Sequence, residues 1–211
     1  MDGDGSDVVL AVDPAISTGW TLLSVKGAET AQVVVTVHKW GCIVLEGSSD
    51  QEKSYDLYTQ LKKLMQSFRI KHLVTEGYTF SRKRCNGCLL NVYLRGVVMQ
   101  LGSENALQCN FINVGDWKRF LMGSKGLRAE KAEVIGALQR KYGAIFPDKM
   151  KSNKTGRPVQ FKHDVSDSCA MAVYHITSQY TCKPLVWELD FKPTGQDNFA
   201  GQHNLLSVSI E

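Results

Sequence analysis

Two rhythms of apolar residues run along this chain. One is of unbroken or alternating β-branched runs, the other of i, i+3, i+4 spacing. Val8-Val9-Leu10-Ala11-Val12 is continuous and ends at Asp13-Pro14, which predicts a strand buried on both faces. Pro14 to Gly19 reads as a turn and Trp20 to Val25 as a returning strand. Val33 to Val37, extendable through Trp40 to Val44, reads as a third. Ser49 or Asp50 offers an N-cap to a helix with Leu57, Leu61, Leu64 and Phe68 on one face. His72 to Thr75 gives a fourth strand, Leu89 to Leu101 an apolar helix and Phe111 to Val114 a fifth strand. Two further helices follow, Arg128 to Tyr142 closed by Gly143, and Asp164 to Tyr180. Strands first, then helices alternating with strands, predict an α/β fold: a five-stranded mixed sheet with helices on both faces. Phe146 to Lys162 is polar, basic and broken by Gly and Pro, so it reads as a loop. Beyond Lys183 the pattern weakens, with Val186 to Phe191 as a late strand. A single domain is expected over 1–182, and a partly irregular extension over 183–211.

Composition narrows the class. With 211 residues, 43% of them hydrophobic, the chain is long enough for one full-sized core. No apolar run approaches the ~20 residues of a membrane span, so no membrane association is expected. The acidic start, Met1 to Asp7, lacks the apolar core of a secretory signal. The six cysteines form no compact disulfide pattern, and Cys109 and Cys169 fall in apolar runs, which favours a reducing intracellular compartment. Cys85 and Cys88 have the spacing of half a zinc site without a second half. A net charge of +4 is mild, but acids gathered in one site would leave the remaining surface more basic.

The candidate chemistry lies in four carboxylates. Asp13 ends the first apolar run and Glu76 ends the fourth strand, while Asp164 and Asp167 share a face at the start of the last helix. Singly, each has a plain structural use: an N-cap for Asp164, turn chemistry for Asp13, a solvated strand end for Glu76. With the first and fourth strands adjacent, all four fit one sheet edge, where mutual repulsion calls for positive charge. Divalent cations supply it, and paired Mg2+ or Mn2+ ions are a common means of phosphodiester cleavage.

The order and spacing of these motifs resemble a known family. Asp-Pro-Ala-Ile-Ser-Thr-Gly-Trp (13 to 20), Thr-Glu-Gly-Tyr (75 to 78) and Asp-Val-Ser-Asp-Ser-Cys-Ala-Met-Ala (164 to 172) are similar to the RuvC family of Holliday junction resolvases. Leu94-Arg95-Gly96-Val97-Val98 resembles its helix after the second acid. Trp117-Lys118, Gly123 and Lys131 resemble its region between the second and third acids. The segment from His163 to Ala172 is also similar to poxvirus-type resolvases, and Trp117-Lys118 to phage and plastid relatives. The resemblance spans roughly residues 8 to 180.

It implies a ribonuclease H-like fold, a four-way junction DNA substrate and a homodimer that cuts symmetrically. It also implies two Mg2+ (or Mn2+) ions held by Asp13, Glu76, Asp164 and Asp167, and no small-molecule cofactor. Lys118 and Lys131 correspond to its basic pair, with Lys118 the candidate for a catalytic role. Tyr78 or Phe80 would stack on bases at the branch point. Arg82, Lys83 and Arg84, with Lys151, Lys154 and Arg157 in a second basic stretch, would meet phosphates. The apolar helix from Leu89 to Leu101 is the candidate dimer interface. A DNA-containing compartment is then expected: cytoplasm, viral replication site or organelle nucleoid. The competing expectations are a ribonuclease H-like nuclease for other branched DNA or RNA–DNA hybrids, and a branched-DNA binding protein without catalysis. A sugar-kinase-like nucleotide binder is disfavoured by the late Asp-x-x-Asp helix.

Overall fold

Strand β1 (Asp7–Asp13) lies in the middle of a mixed sheet, as its two-sided apolar run requires. In this computed structural model the described residues are 6–27, 32–77, 88–143, 150–151, 158–159, 162–180, 183, 185–189 and 208–209. β1 pairs antiparallel with β2 (Ser17–Lys26), and β2 with the twelve-residue β3 (Val33–Val44). Helix α1 (Asp50–Gln66) starts at a capping box: Ser49 accepts from the Glu52 N–H, and Glu52 reaches back. Its buried residues Leu57, Leu61 and Met65 keep the spacing expected of one face. β4 (Ile70–Glu76) pairs parallel with β1 on the side away from β2, and α2 (Cys88–Glu104) leads back to a parallel β5 (Gln108–Ile112) at the sheet edge.

Three expectations need correction. The sheet is larger than five strands, running β5-β4-β1-β2-β3-β8-β9. Six of its strands have five or more residues. The sixth, β8 (Leu185–Leu189), comes from the extension and pairs parallel with β3, because Val33 to Val37 leaves a whole strand edge to be covered. Leu185 and Trp187 point inward with period two; β9 (Val208–Ser209) adds two residues beyond. The fifth strand ends at Ile112, because Asn113 is an N-cap: its side chain accepts from the Gly115 N–H at 3.0 Å. Helix α3 (Val114–Met122) follows it, burying Trp117 and Leu121, with a 3-10 turn (Gly123–Arg128) after it. The stretch expected to be a loop holds a small antiparallel pair, β6 (Met150–Lys151) and β7 (Pro158–Val159). Helix α4 (Lys131–Tyr142) ends at Gly143, whose φ of 66° is the left-handed turn a glycine favours. Helix α5 (Lys162–Gln179) is the last.

Alternation along the strands divides the interior into two layers. Val9, Ala11, Leu23, Val25 and Val74 face α3, α4 and α5. Leu10, Val12, Leu22 and Leu73 face α1 and α2. Helices therefore cover both faces, as expected. Helix α5 is fixed across the sheet by a buried hydrogen bond at 2.9 Å between the Thr21 and Ser168 hydroxyls. The Ser168 proton goes to the Val165 carbonyl, so Thr21 is the donor.

Candidate active site

The two-residue period carries the site. Asp13 continues the Val9, Ala11 row and Glu76 continues Val74, so both emerge on the α5 face. Val12 is aligned with Thr75 in the parallel β1–β4 pair, which makes the two acids neighbours at adjacent strand ends. Asp13 also pairs across β2 with Gly19, and Gly19 across β3 with Cys42. Gly19 has to be bare here: a Cβ would run into the Asp164 carbonyl and the Val165 amide. The first turn of α5 thus sits directly on the strand that flanks Asp13, bringing Asp164 and Asp167 over the sheet edge.

Electrostatics record the convergence. Burial pushes the Asp13 carboxyl well above the usual carboxylate range, and repulsion from Glu76, Asp167 and Asp164 adds to it against the opposing pull of Arg95. Asp167 is pushed up to about 6, chiefly by burial, although Lys131 and Lys118 pull it down. Burial raises Asp164 as well, against Lys131 and His163. Cys42 forms part of the floor: burial, then Asp164 and Asp13, push its thiol upward. All four predicted acids are therefore gathered, although 154 positions separate Asp13 from Asp167.

Among the described residues, Lys131, Lys118 and Arg95 bring positive charge to them. The Lys131 ammonium lies 3.9 Å from an Asp164 oxygen, and that of Lys118 lies 5.4 Å from the Trp117 ring centre, within reach of the Asp167 field. The third, Arg95, stands in the recognised Leu94-Arg95-Gly96 segment, yet no role attaches to it from sequence. Its Nη2 donates to Glu76 Oε2 at 2.6 Å and its Nε to the Glu76 carbonyl at 3.1 Å. Only contact with an acid nineteen residues away distinguishes it, and one sequence does not record contacts. Cys42 was likewise hidden inside an ordinary strand.

Several candidates fall elsewhere. Tyr78, Phe80, Arg82, Lys83, Arg84, Lys154 and Arg157 lie outside the described residues, as does Cys85, and of Lys151 only the main chain in β6 is described. Cys42, Cys109 and Cys169 are free thiols.

Buried, mutually repelling carboxylates are the oxygen donors that Mg2+ and Mn2+ take, so the residues present fit such ions. As they stand, no three His, Cys, Asp or Glu side chains among the described residues are set to hold one. Glu76 is engaged by Arg95 through one carboxylate oxygen, and one Asp164 oxygen lies 3.9 Å from the Lys131 ammonium.

No family model matches the sequence, and no curated protein sequence matches it either. Solved structures do. Thermus thermophilus RuvC superimposes with a TM-score of 0.59 at 19% identity, over 82% of this chain and 95% of that one. The same protein in complex with a Holliday junction substrate gives 0.59 at 17% identity, over 83% and 97%. The yeast mitochondrial Holliday junction resolvase Ydc2 gives 0.53 at 17% identity, over 83% and 80%. At these identities the likeness is one of architecture. By fold, the chain is RuvC-like.

Proposed function

We propose that the protein is a metal-dependent endonuclease that resolves four-way DNA junctions. The observation that carries this reading is the meeting of Asp13, Glu76, Asp164 and Asp167 at one edge of a RuvC-like sheet. A protein that only bound DNA would gain nothing from burying repelling carboxylates beside a phosphate path. In this reading the four acids hold two Mg2+ or Mn2+ ions within a ribonuclease H-like scaffold. Held there, the ions would supply water activation and neutralisation of charge on the departing oxygen. The chain's own residues do the rest. Lys118 and Lys131 bring ammonium groups to the rim, where they hold the phosphate and offset negative charge developing on it. Tyr78 or Phe80 stacks at the branch point, and the basic stretches over 82–84 and 151–157 follow the DNA arms.

Symmetric incisions need two active sites, which a two-fold dimer provides. Helix α2 supplies a surface for a second copy. Leu89, Tyr93 and Met99 are 57%, 46% and 47% exposed on one face, and Gly96 lies between them. Among the described residues a Cβ on Gly96 would meet nothing within 4 Å, so no packing among them calls for its bareness, although glycine within a helix costs about 1 kcal/mol. A close crossing of another helix accounts for it. Localisation with DNA in a reducing compartment follows from the same reading.

The deciding experiment incubates labelled four-way junction, Y-fork and linear duplex with the protein, in Mg2+ or in EDTA. Paired nicks confined to the junction and dependent on the ion are expected. Equal cutting of the fork or duplex overturns the substrate assignment, and cutting in EDTA overturns the metal.

A further inference from the structure

Arg95 reaches the acids from the wrong side of the sheet. It stands on α2, whose Leu90, Leu94 and Leu101 belong to the layer beneath α1, while the acids lie on the α5 face. Its guanidinium passes the end of β4 and grips Glu76 at two points, the carboxylate and the main-chain carbonyl. The two side chains are only 12% and 22% exposed, so this is a partly desolvated, charge-assisted pair rather than a surface ion pair of little consequence. A planar guanidinium suits such a two-point grip; an ammonium does not.

Two observations bear on what the grip is for. The guanidinium stands 2.6 Å from a carboxylate oxygen of one of the four gathered acids, so it brings a positive charge into direct contact with the cluster. Moreover, the Glu76 oxygen that Arg95 holds belongs to a carboxylate the nuclease reading assigns to an ion, so guanidinium and ion would draw on the same group. We propose that Arg95 is a positioning residue that stands in for the divalent cation, holding Glu76 at the strand end until an ion claims that carboxylate. Resting on the nuclease reading, it makes the site a competition in which Glu76 is shared between guanidinium and metal. The acids then stay tolerable to one another in the metal-free protein, and the ion enters by replacing one existing bond.

The test is a Mn2+ titration of the full chain without DNA, followed by calorimetry and by the electron paramagnetic resonance of free Mn2+. Thermal melts in EDTA and junction cleavage are run on the same samples. Arg95→Gln should melt lower than wild type in EDTA and bind Mn2+ about tenfold more tightly, the scale of removing one unit charge from a half-buried site. Arg95→Lys keeps the charge without the fork, so its EDTA melt should stay near wild type and its Mn2+ affinity should fall between the two. It also keeps the test alive if the glutamine variant does not fold. In a Glu76→Gln background, Arg95→Lys should leave Mn2+ affinity unchanged. Wild-type Mn2+ affinity in both Arg95 variants would overturn the stand-in role while leaving the nuclease reading intact. If the wild-type protein neither binds Mn2+ nor nicks the junction, it is the nuclease reading that fails.

Discussion

Gly19 bears the first turn of α5 on its bare Cα, with the Asp164 carbonyl where a side chain would begin. Since Gly19 is also the cross-strand partner of Asp13, one hydrogen atom in place of a methyl sets the separation between acids from opposite ends of the chain. The neighbouring backbone atoms cannot yield as a flexible side chain would. Gly19→Ala should therefore lift α5, at a cost of about 1–3 kcal/mol, as for other overpacked sites. Cleavage should fall further than stability does. A urea melt with a matched cleavage assay checks this, and wild-type cutting by the alanine variant would show that the close approach is not needed.

Replacing Asp13 by Asn removes the most crowded charge in the cluster. Its burial and its three acidic neighbours all disfavour ionisation, so the variant should be more stable than wild type in EDTA at neutral pH. Cleavage should vanish while junction binding, measured by mobility shift in Ca2+, persists. Glu76→Gln should also abolish cleavage but without the gain in stability, because it removes the carboxylate that the largely buried Arg95 grips. Cleavage at the normal rate by either variant contradicts the site.

Stability should depend on pH in the sense opposite to that of a salt-bridged acid. Asp167 has a folded pKa of about 6 against an ordinary 3.8. Between those values the folded chain keeps a proton that the unfolded chain has lost, so this group's contribution is full below pH about 4 and lost as pH rises through about 6. Asp13 and Asp164 shift the same way. The melting temperature in EDTA should fall from pH 5 to pH 7. Saturating Mg2+ should reverse most of that fall, because the ion replaces the proton as counter-charge. A metal-free profile that rises over this interval would count against a buried acid cluster.

The parts of the molecule fixed by local pattern were legible in advance. The unbroken Val8 to Val12 run gave a central strand, and the N-cap offered by Ser49 or Asp50 gave a helix start. Adjacency of the first and fourth strands then put Asp13 and Glu76 at one sheet edge. What was missed depends on partners distant in sequence. The late strand expected over Val186 to Phe191 is present as Leu185 to Leu189, but its place beside β3 is set by that open edge, and Val114 to Met122 is too short for its helical period to stand out. Gly19 looked like turn chemistry, and only its contact with Asp164 shows what its missing side chain is for. Arg95 and Cys42 joined the site through tertiary contact alone.

Charge at the rim should separate binding from cutting. Lys131 lies beside Asp164 and, with Lys118, acts on Asp167. Lys118→Met should lower the cleavage rate by roughly ten- to a thousandfold, the range seen when one donor to a developing charge is lost. Junction affinity should weaken only modestly, with the slope of log affinity against log salt reduced by about one. Equal losses in binding and cutting would make Lys118 a phosphate anchor and nothing more.

The last prediction concerns Gly96 and the second copy. The outer face of α2 presents Leu89, Tyr93 and Met99, and no described residue lies within 4 Å of where a Gly96 Cβ would stand. For an isolated protomer, Gly96→Ala should add about 1 kcal/mol to stability, since alanine is the better helix former and nothing obstructs its methyl. In a dimer that crosses at Gly96, the same methyl pushes the helices apart, and Gly96→Glu adds charge to a desolvated contact. Sedimentation should therefore show wild type as a dimer, the alanine variant weakened and the glutamate variant monomeric, all with unchanged far-ultraviolet circular dichroism. Paired junction nicks should become single nicks in step. Strictly monomeric wild-type protein, even on junction DNA, would leave the empty face of α2 unexplained and remove the symmetric half of the cutting mechanism.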